Sequence, residues 1–247
     1  MVAKKNFFAL LFWVLIWQIA SVKIDSKIFL PSPFSVFEKT FSLFFDENFY
    51  KIVIFSFSKI AFGFFLGVFV AVIFASLSNK FKMIEILIKP LMLTIKSVPV
   101  ASFIILVLIW FSSKNLSILI SFLMVLPIIY TNVLQGLHET DEKTLEMCKV
   151  YKIPLAKKIR YVYIFEVFPY FKSAISVALG LAFKAGIAGE VIGLPNNSIG
   201  AEIYNSKIYL DTVSLFAWTI VVVLLSLLFE MIIVNLFEII VRKLEKL

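Results

Sequence analysis

Residues 52–77 read IVIFSFSKIAFGFFLGVFVAVIFASL and contain a single charge, Lys59. At about 1.5 Å of rise per residue, a helix over this run is longer than the roughly 30 Å hydrocarbon core of a bilayer is thick. Five more runs have the same character: 6–22, 97–111, 117–135, 173–192 and 213–241. The third is the least regular. Pro90 and Pro99 interrupt its neighbourhood, and Lys89 and Lys96 place its first half near an interface, leaving 97–111 as the span proper. The first run, preceded by Lys4 and Lys5, is long for the apolar stretch of a signal peptide and lacks a clean small-residue cleavage site, so an uncleaved helix is expected.

Composition supports lipid as the solvent. Of 247 residues, 61% are hydrophobic and 16% charged, against about 45–50% and about 25% in a soluble domain. The fold expected is therefore all-α and integral to a membrane, one domain over 1–247 with six spans. Six spans return both termini to one side. Lysine and arginine concentrate in the N-terminus, 78–84, 137–172 and 242–247, which the positive-inside rule assigns to the cytoplasm. A net charge of +8 is then a matter of orientation, and no nucleic-acid partner is implied. One histidine, His138, and one cysteine, Cys148, exclude an intrachain disulfide and a His/Cys metal cluster.

Two connecting segments carry structure of their own. On the outer side, 31–45 begins with Ser32 and Pro33, a helix-start pair, and continues with Val36, Phe37, Phe41, Phe44 and Phe45 at helical spacing. The pattern predicts an amphipathic helix on the outer interface, with a short extended loop as the alternative. On the inner side, 137–172 is basic and bent. Thr140 is a candidate cap for a helix through Leu145, Cys148 and Tyr151, with Asp141 and Glu142 in its first turn. Pro154 ends it, and a second short helix follows with Leu155, Ile159, Val162 and Tyr163 on one side. Such a pair can present a rigid knob to a soluble partner or rest on anionic lipid headgroups. Periodicity and charge do not separate the two.

The bent segment resembles the cytoplasmic loop of binding-protein-dependent ABC transporter permeases, whose pattern is E-A-A, three residues, G, nine residues, I-x-L-P. Glu146 falls on the Glu, Val162 on the Ile and Ile164 on the Leu; Met147 and Cys148 stand for the alanines, Lys152 for the Gly and Phe165 for the Pro. Other stretches resemble the nitrate/sulfonate/taurine branch in the right order: LPSP at 30–33, SFSKIAFGFFLG at 56–67, SVPVASF at 97–103, WF at 110–111, LPIIYTNVLQG at 126–136, Glu190, and SIG at 198–200. The resemblance implies a type I importer permease in the cell membrane. It further implies a second permease copy, two cytoplasmic ATPases gripping the loop, and an external solute-binding protein. The solute would be small and anionic, such as nitrate, taurine or a sulfonate, although uncharged and cationic solutes also fall within the family. Lys152 in place of Gly is expected to tighten or straighten the bend. The chain contains no G-x-x-x-x-G-K-[ST], so ATP and Mg belong to a partner; no cofactor and no catalysis are expected here.

Ionisable groups at depth are candidates for function. Counting residues from the span ends places Lys59, Lys184 and Glu230 near mid-depth. Lys59 or Lys184 can line the path of an anion; alternatively, Lys184 and Glu230 pair to join two spans. Glu190, among Gly186, Gly189 and Gly193, can act at a gate or face external water. Cys148 is expected to be a packed, inert thiol, and Gln18 and Asn235 to bond between helices. Rival readings are an ion-gradient-driven transporter, with the deep charges as a relay, and a membrane-embedded enzyme, which the scarcity of His, Asp and Cys disfavours.

Overall fold

The computed structural model describes residues 2–26 and 28–245, and these contain helices and no strand. In order they are α1 (Val2–Ile24), α2 (Pro33–Leu43), α3 (Glu47–Lys80), α4 (Lys82–Ser97), α5 (Val100–Trp110), α6 (Leu116–His138), α7 (Glu142–Val150), α8 (Leu155–Lys158), α9 (Ile164–Gly193), α10 (Ile199–Ile208) and α11 (Thr212–Glu245). A 3₁₀ turn, Ser113–Asn115, leads into α6, and a π-helical turn, Ile159–Tyr163, joins α8 to α9. Lys246, and the side chains of Lys4 and Lys5, lie outside what is described.

Among the described residues, four helical stretches are long and apolar enough to cross a membrane: Glu47–Lys80, Ser113–His138, Leu155–Gly193 and Thr212–Leu244. A fifth arises if α4 and α5 together make one crossing, but the two meet at 104°. The corner has a local cause. Pro99 lacks an amide hydrogen and drives Val98 out of the helical region, to ψ 129°. α5 alone covers roughly 16 Å, half a bilayer core, so the stretch 97–111 is one arm of a corner rather than a straight span. The apolar part of α1, Leu11–Ile24, is shorter than the four.

The centre is a three-helix unit in which α6 runs parallel to α3 and antiparallel to α9. These are the most extensive contacts in the molecule. Glycine sets the spacing. A Cβ at Gly63 would strike the Ile118 carbonyl, one at Gly67 would lie 2.9 Å from Val125 Cβ, and one at Gly186 would lie 2.8 Å from both Ile60 and Ser121. Small residues allow backbones to approach this closely where no hydrophobic force acts between helices in lipid. α11 is attached through Phe229, whose ring lies 5.1–5.9 Å from Phe57, Phe64, Phe65 and Phe183. α1 is held more lightly: Trp17 Nε1 donates to the Pro31 carbonyl (3.0 Å) and its ring sits 5.6 Å from Phe216.

α2 forms as expected. Ser32 caps it, its hydroxyl accepting from the Ser35 amide at 3.2 Å, with Pro33 in the first turn. Its two stripes differ in use. Val36, Thr40 and Leu43 are buried, on a helix that packs against α11, whereas Phe34, Phe37, Phe41 and Phe45 face outward. The smaller side chains permit close packing and the rings remain for an apolar surround.

Candidate functional sites: the α7 knob and the charges of the bundle

α7 projects from the end of the bundle at which α6 finishes. Its cap is Asp141, one residue later than expected: the carboxylate accepts from the Thr144 amide (3.0 Å) and hydroxyl (2.8 Å). These bonds, the hydroxyl's first, hold Asp141 below the usual carboxylate range. Thr140 is instead buried, donating to the Gly136 carbonyl at 3.2 Å and tying the knob to α6. Cys148 faces inward at 3% exposure, the packed thiol expected. Glu146 and Met147 face outward, and Val162 and Ile164 are half-buried.

Lys152 departs from expectation. It adopts φ +50°, the left-handed conformation in which glycine is at home. The Ile153 amide donates to Cys148 O (2.9 Å) and the Lys152 amide to Lys149 O (3.1 Å), the two bonds of a Schellman stop. The bend is therefore neither tightened nor straightened: lysine accepts the glycine geometry, at a cost of about 1 kcal/mol. Beyond Pro154 the chain does not form a separate second helix. α8, the π turn and α9 make one helical stretch from Leu155 to Gly193. Around the bend, Val150 (76% exposed), Tyr151 (75%) and Leu155 (68%) form an outward apolar patch among Lys149, Lys152 and Lys157.

At the far end, Glu190 is fully buried. It neither faces water nor stands free at an opening. Oε2 accepts from Ser56 Oγ of α3 (2.7 Å) and the Gly200 amide of α10 (3.1 Å), and Oε1 from Ser117 Oγ of α6 (2.8 Å). Ser56 Oγ also accepts from the Ile199 amide at 2.9 Å. One carboxylate thus knots four helices together, and Gly200 lies so close to Glu190 Cβ that no side chain fits there.

The structure separates the remaining deep charges. Lys59 Nζ donates to Asn115 Oδ1 at 2.9 Å. It is therefore level with the entry of α6, not halfway along it, because α3 begins well before α6 does. Lys184 and Glu230 form no ion pair among the described residues. Antiparallel α9 and α11 instead join through Lys172 and Glu238 (2.6 Å), with Phe171 beside Phe237. That register leaves Glu230 about a turn out of step with Lys184. Lys184 is exposed and lines a groove of about 440 Å³ with Ile203, Thr219 and Val222. Gln18 and Asn235 make no interhelical bond among the described residues; serines do so instead, as when Ser121 donates to the Ala182 carbonyl and Tyr130 to Ser78.

One polar site had not been singled out. Between α4 and α6, at the knob end, a cleft of about 260 Å³ is lined by Glu85, Lys89, Thr131, Gln135, His138 and Glu139, among others. The sequence signal was present: lysines at 82, 89 and 96 recur every seven residues and so share one helix face.

Two comparisons bear on these features. Residues 63–246 match the family described as binding-protein-dependent transport system inner membrane component. The chain is also similar to a protein of Bacillus subtilis (strain 168) named as the aliphatic sulfonates transport permease SsuC. Identity is 24% over 211 residues, covering 84% of this chain and 76% of that one.

Proposed function

From its membership of the inner-membrane components of binding-protein-dependent transport systems, we propose that this chain forms half of the pathway of an ATP-driven importer for a small organic anion. The sulfonate named in the relative from Bacillus subtilis supports this solute class. The knob carries the reading of the coupling step. A rigid, capped helix with an outward apolar patch is suited to a socket on a soluble ATPase, and the surrounding lysines add steering without being fully desolvated. ATP and Mg²⁺ are held by that partner. A solute-binding protein docks at the far end, and a second permease copy completes the pathway.

The mechanism follows from how the knob is attached. Leu155–Gly193 is a continuous helical stretch of roughly 58 Å that ends at the Glu190 knot. The three-helix unit has no slack at Gly63, Gly67 or Gly186. A displacement of the knob by ATPase closure is thus delivered to α3, α6 and α9 together, which tilt as one body. Six crossings, with the α4–α5 corner as the third and both termini on the knob side, complete the proposed topology.

The test is purification of the permease with its ATPase, reconstitution in liposomes with the binding protein, and measurement of ATP-dependent sulfonate uptake. Tyr151→Asp, at the centre of the patch, is expected to detach the ATPase and lower uptake at least tenfold with the permease still folded. Full uptake by that variant, or uptake independent of ATP, rejects the coupling role and favours an ion-gradient transporter.

A further inference from the structure

At the knob end of the bundle an open-sided groove of about 300 Å³ runs between α3, α6, α9 and α11. Val72, Val133, Phe168 and Ile240 supply one wall each. For scale, an apolar cavity of roughly 150 Å³ stays dry and takes up benzene. The groove ends in basic groups. On α3, Lys80 continues the ridge of Val72 and Ser76, four residues further along, so it stands roughly 6 Å beyond Ser76. On the other side the groove reaches the π turn, whose last residue, Tyr163, lines it. Lys158 Nζ lies 5.1 Å from the centre of that ring. In the same turn Arg160 Nε is buried without an acceptor among the described residues. The neighbouring acids are occupied or turned away. Glu238 is paired with Lys172 (2.6 Å) and Arg242 (3.5 Å). Glu139 lines the cleft on the other side of α6. Glu166 is exposed and falls on the face of α9 opposite Ile164, Phe168 and Phe171. Lys80 and Lys158 form no ion pair among the described residues.

Lipid tails are as apolar as leucine, so an oily groove in a membrane helix bundle gains no hydrophobic preference for one lipid over another. Its walls supply close contact with whatever chain fits. Selection must come from the rim. Basic pockets between membrane helices attract anionic headgroups, each lysine contributing about fivefold in affinity. We infer that this groove holds one acyl chain of an anionic phospholipid from the knob-end leaflet, with its phosphate received by Lys80 and Lys158. The lipid bridges α3, α9 and α11 at the base of the rod that carries the knob. A second copy of the chain in the same orientation is a poorer occupant. It brings its own lysines to this level, like against like, whereas a phosphate neutralises them. The site is separate from the solute pathway and does not depend on what is transported.

Photo-crosslinking reads the occupant directly. The full chain, with the subunits that purify with it, is placed in phosphatidylcholine nanodiscs containing a minor share of phosphatidylglycerol. Phe168→p-benzoylphenylalanine puts a photoreactive ketone in the groove. Ile239→p-benzoylphenylalanine puts one on the exposed, opposite face of α11 as the bulk-lipid control. Mass spectrometry identifies the adducts. Those from position 168 are expected to be enriched in phosphatidylglycerol about tenfold over those from 239. Lys80→Gln with Lys158→Gln should bring the two positions within about twofold of each other, and Lys80→Arg with Lys158→Arg should keep the enrichment. High salt gives a check without the lysine substitutions: it screens exposed charge and should lower the enrichment about threefold. Equal headgroup composition at the two positions overturns the site. So does an enrichment indifferent both to salt and to loss of the lysines. Crosslinks from 168 to protein in place of lipid give the groove to another subunit and overturn it as well. The readout needs no transport, so failure of the importer function and failure of the lipid site are told apart.

Discussion

At the scale of single residues, two side chains occupy places their chemistry does not favour. Lys152 sits in left-handed backbone, so Lys152→Gly should stabilise the end of α7 by about 1 kcal/mol. Slower amide exchange at Tyr151–Ile153 would register the gain; unchanged or faster exchange would mean the lysine side chain contributes contacts that outweigh the backbone cost. Glu190 is a buried acid with no ion pair among the described residues, sustained by three donors. Glu190→Ala strands two hydroxyls and an amide and should cost about 3 kcal/mol or more, since each unsatisfied buried group carries a penalty of about 1–3 kcal/mol. Thermal unfolding in detergent measures it, and a loss within the scatter of surface variants would show that water replaces the carboxylate. The sequence marked Glu190 as special through its type and its glycine neighbours, but not what it does. Its partners are 134, 73 and 10 residues away, and no local pattern encodes contacts that distant.

At the scale of elements, periodicity and end signals were informative and register was not. The Ser32–Pro33 start of α2, the stop before Pro154 and the apolar runs were readable because each is set by nearby residues. The expected Lys184–Glu230 pair failed because relative sliding of α9 and α11 is fixed by ring packing such as Phe171 on Phe237, which residue counting from span ends cannot supply. The π turn at Ile159–Tyr163 also left no mark that separates it from ordinary helix. It contains one extra residue per turn, stiffened by Lys158 over Tyr163 and Arg160 over Tyr161 at 5.1 and 5.4 Å. Deleting Ala156, in the regular α-helical turn before it, should rotate α7 by about 100° relative to α9. Assembly of the bundle should survive while ATPase binding falls at least tenfold. Retained binding would mean that the knob reorients freely and is not rigidly tied to the rod.

At the scale of the whole molecule, the tight unit of α3, α6 and α9 contrasts with the loosely applied α1, α4 and α5. A staple within the unit should therefore be silent. With Ser121→Cys and Ala182→Cys, neighbours across the α6–α9 seam where Ser121 Oγ donates to the Ala182 carbonyl at 3.1 Å, oxidation should leave ATP-driven uptake within about twofold of the reduced form. A block on oxidation that is relieved by reductant would show that these helices move against each other during turnover. The class of fold, all-α and membrane-embedded, was legible because solvent preference is a sum over composition. The corner between α4 and α5 was half legible: Pro99 announces a break, but its 104° angle depends on what each arm packs against.

Glycines at 63, 67 and 186 weld three helices where α3, α6 and α9 meet around Ser121. Welded members cannot part to let a solute through their midst. The conduit must then run beside the weld, along a flank whose opposite wall is free to swing. Variation in what is carried should consequently accumulate on α4 and α5, while the seam glycines stay fixed regardless of cargo.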